Sequence, residues 1–344
     1  MQMARRIFCA MISGVLILSL AACGRSGEES APDRPGAEAG RVGGETSGRG
    51  EAQGNSGAVT EGEDDGSSGE TSSEGETNGK EQPRAEYEYI SQELYTQRGE
   101  NQIYGVIYIP QNAGEQMPAV IFSHGFGGTH QVGDGYARAL AQKGYVVYCF
   151  DFCGGAPDSR SSGSTLEMSV FTEKADLEAV MEMVQGLDYV DREDIFQMGT
   201  SQGGAGSAIT GANHEDEVQG MILLYPAFVL ADRANELFQS VEEIPETYHF
   251  MWMDVGRAYF EPLIGYDIYE DVAGYQKDVL LLHGDQDDIV PVSYSERALQ
   301  VYLSAELKVI SGAGHGFYGE NEQLAVEYIL NYLDTHRTEG VITK

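Results

Sequence analysis

Short, unbroken apolar runs alternate with stretches of helical period through most of the chain beyond residue 85. Each run has the length of one strand, and continuous apolar character is typical of strands buried on both faces of a sheet. The central runs are residues 119–122, 145–150, 195–198, 221–224, 279–282 and 307–310. Strands separated by helices imply a mostly parallel sheet with helices on both faces, which is an α/β fold.

The other predicted elements frame these central strands. Two amphipathic strands are expected ahead of them, at 87–95 and 103–109. Thr172 is the predicted N-cap of the first covering helix. The covering helices are expected at 172–186, 202–211, 293–303 and 320–333. Residues 86–344 together have the usual size of one α/β domain.

Residues 228–275, named the lid below, break the alternation after the sixth strand. Many aromatic side chains stand there between charged residues, without one clean period. We expect an insertion that caps the sheet. Two interpretations stay open, because the lid either shapes an aromatic-lined substrate pocket or is a pair of ordinary helices covering apolar surface.

The first 22 residues are predicted to be an export signal and not part of the fold. Two arginines form the positive end, and residues 7–20 form an apolar run too short to span a bilayer comfortably. Leu-Ala-Ala-Cys at residues 20–23 resembles the bacterial lipoprotein box. The resemblance implies that Cys23 becomes the lipidated first residue of a mature, membrane-anchored protein at the cell surface.

Residues 23–85 are expected to form a disordered acidic spacer. Gly, Ser, Glu, Thr and Asp dominate the segment, so it cannot bury enough apolar surface to offset chain entropy. The formal net charge of the whole chain is −34. This charge argues against nucleic acid as a partner and against electrostatic adsorption to anionic lipid.

Cofactor and metal motifs are not found in the sequence. It contains no zinc-type cluster, Walker loop or dinucleotide fingerprint, so neither a cofactor nor a metal is expected. Cys149 and Cys153 are the two cysteines of the predicted domain. They lie four residues apart around a strand end, and both two buried free thiols and a disulfide fit that spacing.

Three motifs follow predicted strands in the chain order Ser, Asp, His. The first is Gly-x-Ser-x-Gly around Ser201. The pattern alone decides little in a chain with 44 glycines, but a strand before it and small residues after it suit a strained strand-to-helix turn. A serine nucleophile needs an imidazole to take its proton and a carboxylate to orient that imidazole.

The acid and the base are expected after the last two strands, since catalytic groups gather at the carboxyl ends of parallel strands. The acid candidates are Asp285, Asp287 and Asp288, and the residues alone do not separate Asp287 from Asp288. The predicted base is His315, which stands among glycines after the last strand. His124 is expected to shape its own loop.

The chain order and the motifs resemble those of α/β-hydrolases over nearly all of residues 100–335. The pattern His-Gly-x-x-Asp-x-x-Val-Pro selects Asp287 as the acid. The resemblance implies an oxyanion hole made by two backbone N–H groups. One belongs to Phe126, in the early loop Ser-His-Gly-Phe-Gly-Gly, and the other to Gln202, which follows the nucleophile.

Within α/β-hydrolases the chain looks most similar to the cinnamoyl and feruloyl esterases. The likeness rests on His-Gly-Phe, on Val-Val-Tyr-Cys-Phe-Asp-Phe-Cys-Gly and on Gly-Thr-Ser-Gln-Gly. It implies a serine carboxylic-ester hydrolase that acts through an acyl-enzyme on small or aromatic-acid esters, including polysaccharide-linked ones. Two alternatives remain, a serine peptidase of the prolyl-oligopeptidase-like group and a non-catalytic surface lipoprotein. The sequence does not indicate the oligomeric state.

Overall fold

The computed structural model describes residues 84–338. The predicted signal peptide, Cys23 and almost all of the predicted spacer lie outside the described residues. Eight strands form one sheet: β1 (Tyr89–Arg98), β2 (Asn101–Pro110), β3 (Met117–Ser123), β4 (Val146–Phe150), β5 (Val190–Thr200), β6 (Gly220–Leu224), β9 (Val279–Gly284) and β10 (Ala305–Ile310). A separate hairpin consists of β7 (Thr247–Phe250) and β8 (Met253–Gly256).

The sheet is mostly parallel, as predicted. Its strand order is β1-β2-β4-β3-β5-β6-β9-β10. Strand β2 pairs in the antiparallel sense with both of its neighbours, and the pairs from β4 to β10 are all parallel. The carboxyl ends of the parallel strands therefore meet at one edge, which is where an open α/β sheet builds its site.

Within the described residues, eight α-helices accompany the strands. They are α1 (Asp134–Ala141), α2 (Val170–Gln185), α3 (Ser201–Asn213), α4 (Leu230–Leu237), α5 (Arg257–Phe260), α6 (Ile268–Val272), α7 (Ser293–Val301) and α8 (Glu320–His336). One large apolar core lies between the sheet and the face of α2 and α3. A second core lies on the opposite face, under α1 and α8. Two faces buried in this way explain the unbroken apolar runs of the central strands.

The start of α2 corrects one prediction. Ser169 is the N-cap, not Thr172, and the helix begins at Val170. The Ser169 side chain accepts the Thr172 N–H at 3.2 Å, and the Thr172 hydroxyl oxygen accepts the Ser169 N–H at 2.8 Å. The two residues thus form a capping box, in which Thr172 takes the third helical position.

Helix α1 was not predicted. It is only eight residues long and contains Gly135, which disfavours helix formation in an isolated segment. Tyr136 and Leu140 are buried in the core beneath it. Tertiary packing therefore stabilises a helix that the local sequence does not strongly favour.

The lid lies between β6 and β9, which agrees with an insertion after the sixth strand. It comprises α4, the β7–β8 hairpin, α5 and α6, so it is more than a pair of helices. Aromatic rings pack edge-on within it, for example Phe238 against Phe260 with centroids 5.1 Å apart. These rings belong to the same apolar core as the side chains beneath α2 and α3.

Candidate active site

Ser201 stands at a sharp turn between β5 and α3. The strand ends at Thr200, and Ser201 has a φ of 51°, a left-handed conformation that non-glycine residues rarely adopt. A Cβ on Gly199 would lie 2.3 Å from the carbonyl oxygen of Gly203. A Cβ on Gly203 would lie 2.3 Å from the carbonyl oxygen of His124. Both glycines of the Gly-x-Ser-x-Gly motif are therefore required by close backbone packing.

His315 connects Ser201 with Asp287. Its Nε2 lies 2.9 Å from Ser201 Oγ, and its Nδ1 lies 2.7 Å from Asp287 Oδ2. A carboxylate only accepts hydrogen bonds, so Nδ1 carries the ring proton and Nε2 is left to accept from the serine hydroxyl. The structure thus brings the three predicted residues together in the arrangement that activates a serine nucleophile.

Asp287 is held as an ionised carboxylate. Its Oδ1 accepts the backbone N–H groups of Ile289 and Val290 at 3.0 and 2.8 Å. The buried His283 ring places Nε2 3.3 Å from Oδ2. Burial alone would raise the pKa of Asp287, but hydrogen bonds from His283, His315 and the Val290 N–H hold it below the ordinary value.

The other two acid candidates have different surroundings. Asp285 accepts the Gly312 N–H at 2.6 Å and the Ser311 hydroxyl at 3.0 Å, so it braces the loop that carries His315. The Asp288 side chain is exposed at the edge of a cavity. Only Asp287, of the three, bonds to the imidazole.

The loop after β3 lies directly against Ser201. A Cβ on Gly125 would be 3.0 Å from the Ser201 Cβ. The buried His124 donates from Nδ1 to the Gly125 carbonyl at 2.8 Å and accepts the Phe152 N–H on Nε2 at 3.2 Å. Burial lowers the pKa of His124, so the ring is neutral and shapes the loop. The predicted donor Phe126 follows in that loop, next to the nucleophile.

Gln202, the other predicted donor, belongs to the first turn of α3, where backbone N–H groups lack an acceptor within the helix. Its buried side chain makes two contacts that the sequence analysis missed. Nε2 donates to Glu173 Oε2 at 2.9 Å, and Oε1 accepts from the Tyr259 hydroxyl at 2.6 Å. A signal for Glu173 was present, because it lies between Val170 and Leu177 on the buried stripe of α2.

A cavity of about 400 Å³ opens beside Ser201. Arg233 and Glu236, which pair at 2.9 Å, are polar members of its wall. The lining is otherwise mostly apolar and includes Phe126, Ala227, Val229, Leu230, Phe250 and Tyr259. Its volume lies within the usual range for small-molecule sites.

The lid supplies one wall of this cavity. The Phe126 ring packs edge-on against Phe250, Trp252 and Tyr259 of the lid, with centroids 5.4 to 5.5 Å apart. The indole of Trp252 is 57 % exposed at the hairpin tip. The lid therefore covers apolar surface and also lines the cavity.

The remaining candidates lie apart from this site. Cys149 and Cys153 are buried free thiols, so the disulfide alternative does not describe the structure. Within residues 84–338, no three His, Cys, Asp or Glu side chains are grouped to hold a metal ion. Over the same range, no helix has both the length and the apolar character needed to cross a membrane.

A known family matches part of the chain. The family described as serine aminopeptidase, S33, matches residues 114–258. This segment contains Ser201 but ends before Asp287 and His315.

Curated relatives cover parts of the chain. Uncharacterized proteins from two strains of Mycobacterium tuberculosis are 30% identical over 212 residues, 60% of this chain and 66% of each relative. The match thus spans slightly less than two thirds of those relatives' length. The putative carbamate hydrolase RutD of Caulobacter sp. is 31% identical over 112 residues, 33% of this chain and 41% of that protein.

Solved structures resemble the fold over the whole domain. Est1E from Butyrivibrio proteoclasticus, solved with ferulic acid bound, has a TM-score of 0.66 at 25% identity. The match covers 71% of this chain and 98% of that protein. Acetyl xylan esterase 1 from Thermoanaerobacterium sp. has a TM-score of 0.55 at 19% identity, over 72% of this chain and 86% of that protein. These likenesses confirm the predicted α/β-hydrolase fold.

Proposed function

We propose that this chain, which has the α/β-hydrolase fold, is a serine carboxylic-ester hydrolase acting through an acyl-enzyme. The observation that carries the proposal is the continuous relay from Asp287 through His315 to Ser201, at 2.7 and 2.9 Å. The serine of this relay lines the apolar cavity, so an acyl group seated there would present its carbonyl carbon to Oγ.

The relay supports both halves of the reaction. Ser201 Oγ forms a bond to the carbonyl carbon while His315 Nε2 takes its proton. As the tetrahedral intermediate collapses, the bond to the alcohol oxygen breaks and His315 returns the proton to that oxygen. Water then attacks the acyl-enzyme by the same route and releases the acid. Asp287 keeps the imidazole in the required tautomer throughout.

Negative charge develops on the carbonyl oxygen in each half-reaction. In the proposal this oxyanion accepts the backbone N–H groups of Phe126 and Gln202. The Gln202 N–H lies at the positive end of α3, which adds a favourable dipole. Closeness of the Gly125 loop to Ser201 supports this placement, since the Phe126 N–H follows immediately.

For the substrate we propose a small or aromatic-acid ester. The aromatic cavity wall formed by Phe126, Phe250 and Tyr259 supports an aromatic acyl group, because edge-on ring contacts suit such ligands. The likeness to Est1E, which is described with ferulic acid bound, supports the same class. Polysaccharide-linked cinnamoyl-type esters are the proposed natural form.

Location at the cell surface is a further part of the proposal, and residues 20–23 support it. To test lipidation, the protein is expressed in a bacterial host that processes lipoproteins, and the cells are grown with labelled palmitate. The protein is expected to carry label and to be found in the membrane fraction, and Cys23→Ala is expected to abolish both its labelling and its membrane location. Label that persists in Cys23→Ala would contradict lipidation at that residue.

A serine peptidase is the second candidate, favoured by the match to the serine aminopeptidase, S33, family. The same nucleophile, base and acid would serve amide hydrolysis. Amide and ester substrates with the same acyl group separate the two functions. Comparable kcat/KM for the amide would favour the peptidase.

The central test compares hydrolysis of methyl ferulate with that of the p-nitrophenyl ester of a four-carbon acid. Purified protein and its Ser201→Ala variant are assayed side by side. The full proposal is supported if the parent hydrolyses both esters and Ser201→Ala hydrolyses neither. The rate with methyl ferulate should then lie within about tenfold of the rate with the activated ester. Cleavage of the aliphatic ester alone would refute the aromatic substrate class. Failure of Ser201 to react with a fluorophosphonate probe would favour the non-catalytic alternative.

A further inference from the structure

A buried carboxyl group lies beneath the candidate oxyanion hole. It takes no part in the hydrogen bonds that join Ser201, His315 and Asp287. Glu173 on α2 is 1 % exposed, and its Oε2 accepts the Gln202 amide at 2.9 Å. Gln202 is the residue whose backbone N–H is one proposed oxyanion donor. Carboxyl groups are seldom fully buried without a charged partner, so this arrangement calls for a reason beyond packing.

The Gln202 side chain is fixed at both ends. Its Nε2 donates to Glu173 of α2, and its Oε1 accepts from Tyr259 of the lid helix α5 at 2.6 Å. The carboxyl oxygen accepts from the amide nitrogen and the hydroxyl donates to the amide oxygen, so both ends of the amide are hydrogen-bonded. Side chains from two elements that are distant in sequence therefore hold the residue next to the nucleophile.

We propose that Glu173 and Tyr259 are positioning residues, which act through the Gln202 side chain to hold its backbone N–H in the oxyanion hole. The inference rests on the proposed ester hydrolase function. It also couples the lid to catalysis, since Tyr259 contributes both to the cavity wall and to this hydrogen bond.

The protonation state of Glu173 affects the oxyanion hole, because the carboxyl bonds to Gln202. Burial raises the pKa of Glu173 to about 8, a hydrogen bond from Gln202 opposes the shift, and Asp176 adds to it. The carboxyl is therefore mostly protonated at pH 7. Its other oxygen, Oε1, has no hydrogen-bond partner among the described residues. Ionisation would place an uncompensated negative charge close to the developing oxyanion and oppose it.

The groups around Glu173 do not neutralise that charge. On its own helix, Asp176 accepts from Arg98 of β1 at 2.5 Å, so that cation is already paired. From α3 and the lid, the uncharged Gln202 and Tyr259 face Glu173, and burial raises the pKa of the Tyr259 hydroxyl. The Gln202 amide nitrogen also contacts the thioether sulfur of Met168 at 3.5 Å.

Ester hydrolysis by the full-length protein tests the proposal, with kcat and KM measured from pH 6 to 9.5. Glu173→Met removes the acceptor at similar volume, and Tyr259→Phe removes the donor while keeping the ring. Loss of a whole oxyanion donor costs about 100-fold or more, so its mispositioning is expected to lower kcat about tenfold, with KM changed less than about threefold.

Glu173→Gln supplies the conservative rescue. Its amide oxygen can still accept from Gln202, and it does not ionise. At pH 7 it is expected to keep kcat within about twofold of the parent. The parent kcat is expected to fall as pH rises through about 8, the pKa of Glu173, and Glu173→Gln is expected to lose that fall.

Two matched controls lie outside the network. Glu178→Gln changes a surface carboxylate on α2 that bonds to Lys174 and His214. Tyr266→Phe removes a lid hydroxyl that bonds to the exposed Asp271. Neither is expected to alter kcat or its pH profile.

Each outcome decides one question. Unchanged kcat in both Glu173→Met and Tyr259→Phe, or an alkaline fall that persists in Glu173→Gln, overturns the inference while Ser201-dependent turnover stands. Parent activity equal to that of Ser201→Ala refutes the hydrolase function itself. If Glu173→Met does not fold, as judged by circular dichroism, Tyr259→Phe and the pH profile of Glu173→Gln decide the matter.

Discussion

Asp287 and His315 meet at 2.7 Å, Oδ2 to Nδ1, although 28 positions separate them in the chain. The contact joins the loops that follow β9 and β10, two neighbouring parallel strands. Parallel neighbours end at the same edge of a sheet, so the loops after them lie side by side. This geometry decides which aspartate can serve the imidazole.

Asp287→Asn is expected to lower kcat at least about 100-fold, because an amide favours the wrong imidazole tautomer. Asp288→Asn is expected to cost far less, since the exposed Asp288 carboxylate does not contact His315. Steady-state ester hydrolysis measures both. The reverse order of effects would assign the acid to Asp288.

Gly203→Ala is expected to destabilise the fold by about 1–3 kcal/mol through overpacking. The new Cβ would lie 2.3 Å from the His124 carbonyl oxygen and 2.4 Å from that of Ser123, and both are backbone atoms that cannot yield cheaply. Gly206→Ala on the same helix is the matched control. A Cβ there meets nothing within 4 Å, so it is expected to stabilise the protein by about 0.5–1 kcal/mol. Urea denaturation checks both, and equal effects would contradict the packing argument.

Leu230→Trp is expected to narrow the cavity selectively. Leu230 lines the cavity from the lid, and a larger ring there would occupy space that a bulky acyl group needs. We expect kcat/KM for methyl ferulate to fall at least about tenfold while that for an acetate ester changes less than about threefold. Parallel losses on both esters would place the acyl group elsewhere.

Glu173→Gln is expected to have a higher Tm than the parent, and this difference in Tm is expected to grow as pH increases. The folded state keeps the Glu173 proton up to about pH 8, whereas the unfolded chain releases it near the ordinary value of 4.5. Between these values the unfolded state binds fewer protons, so parent stability falls with rising pH. The Tm difference should therefore be absent below about pH 4.5, grow to about pH 8 and then level off. Scanning calorimetry checks this.

Glu178→Gln is the control for these Tm measurements, because it is expected to change Tm in the opposite direction. Burial opposes ionisation of Glu178, but its bonds with Lys174 and His214 hold its pKa below the ordinary value. Its ionised form therefore favours the folded state above about pH 4.5. The variant should lose a small part of that stability at neutral pH. A rise in Tm like that of Glu173→Gln would contradict the assignment of a neutral buried carboxyl.

The sequence alone determined the sheet and the positions of its functional loops. Runs such as 195–198 and 279–282 are continuous in apolar character because both faces of those strands are buried. Burial on both faces can therefore be read from the local sequence. Glycines around Ser201 mark the strained turn, since only they permit the backbone to approach so closely. Such signals lie within a few residues of the feature that they predict.

The tertiary structure decided the contacts between distant elements. The properties of the residues alone did not distinguish Asp287 from Asp288 as the acid. In the folded loop after β9, the Asp287 side chain points toward His315 and bonds to it. The Glu173–Gln202–Tyr259 network joins residues 29 and 57 positions apart. No local period encodes such a meeting, because it depends on how α2, α3 and the lid pack, and packing is set by all the buried surfaces together.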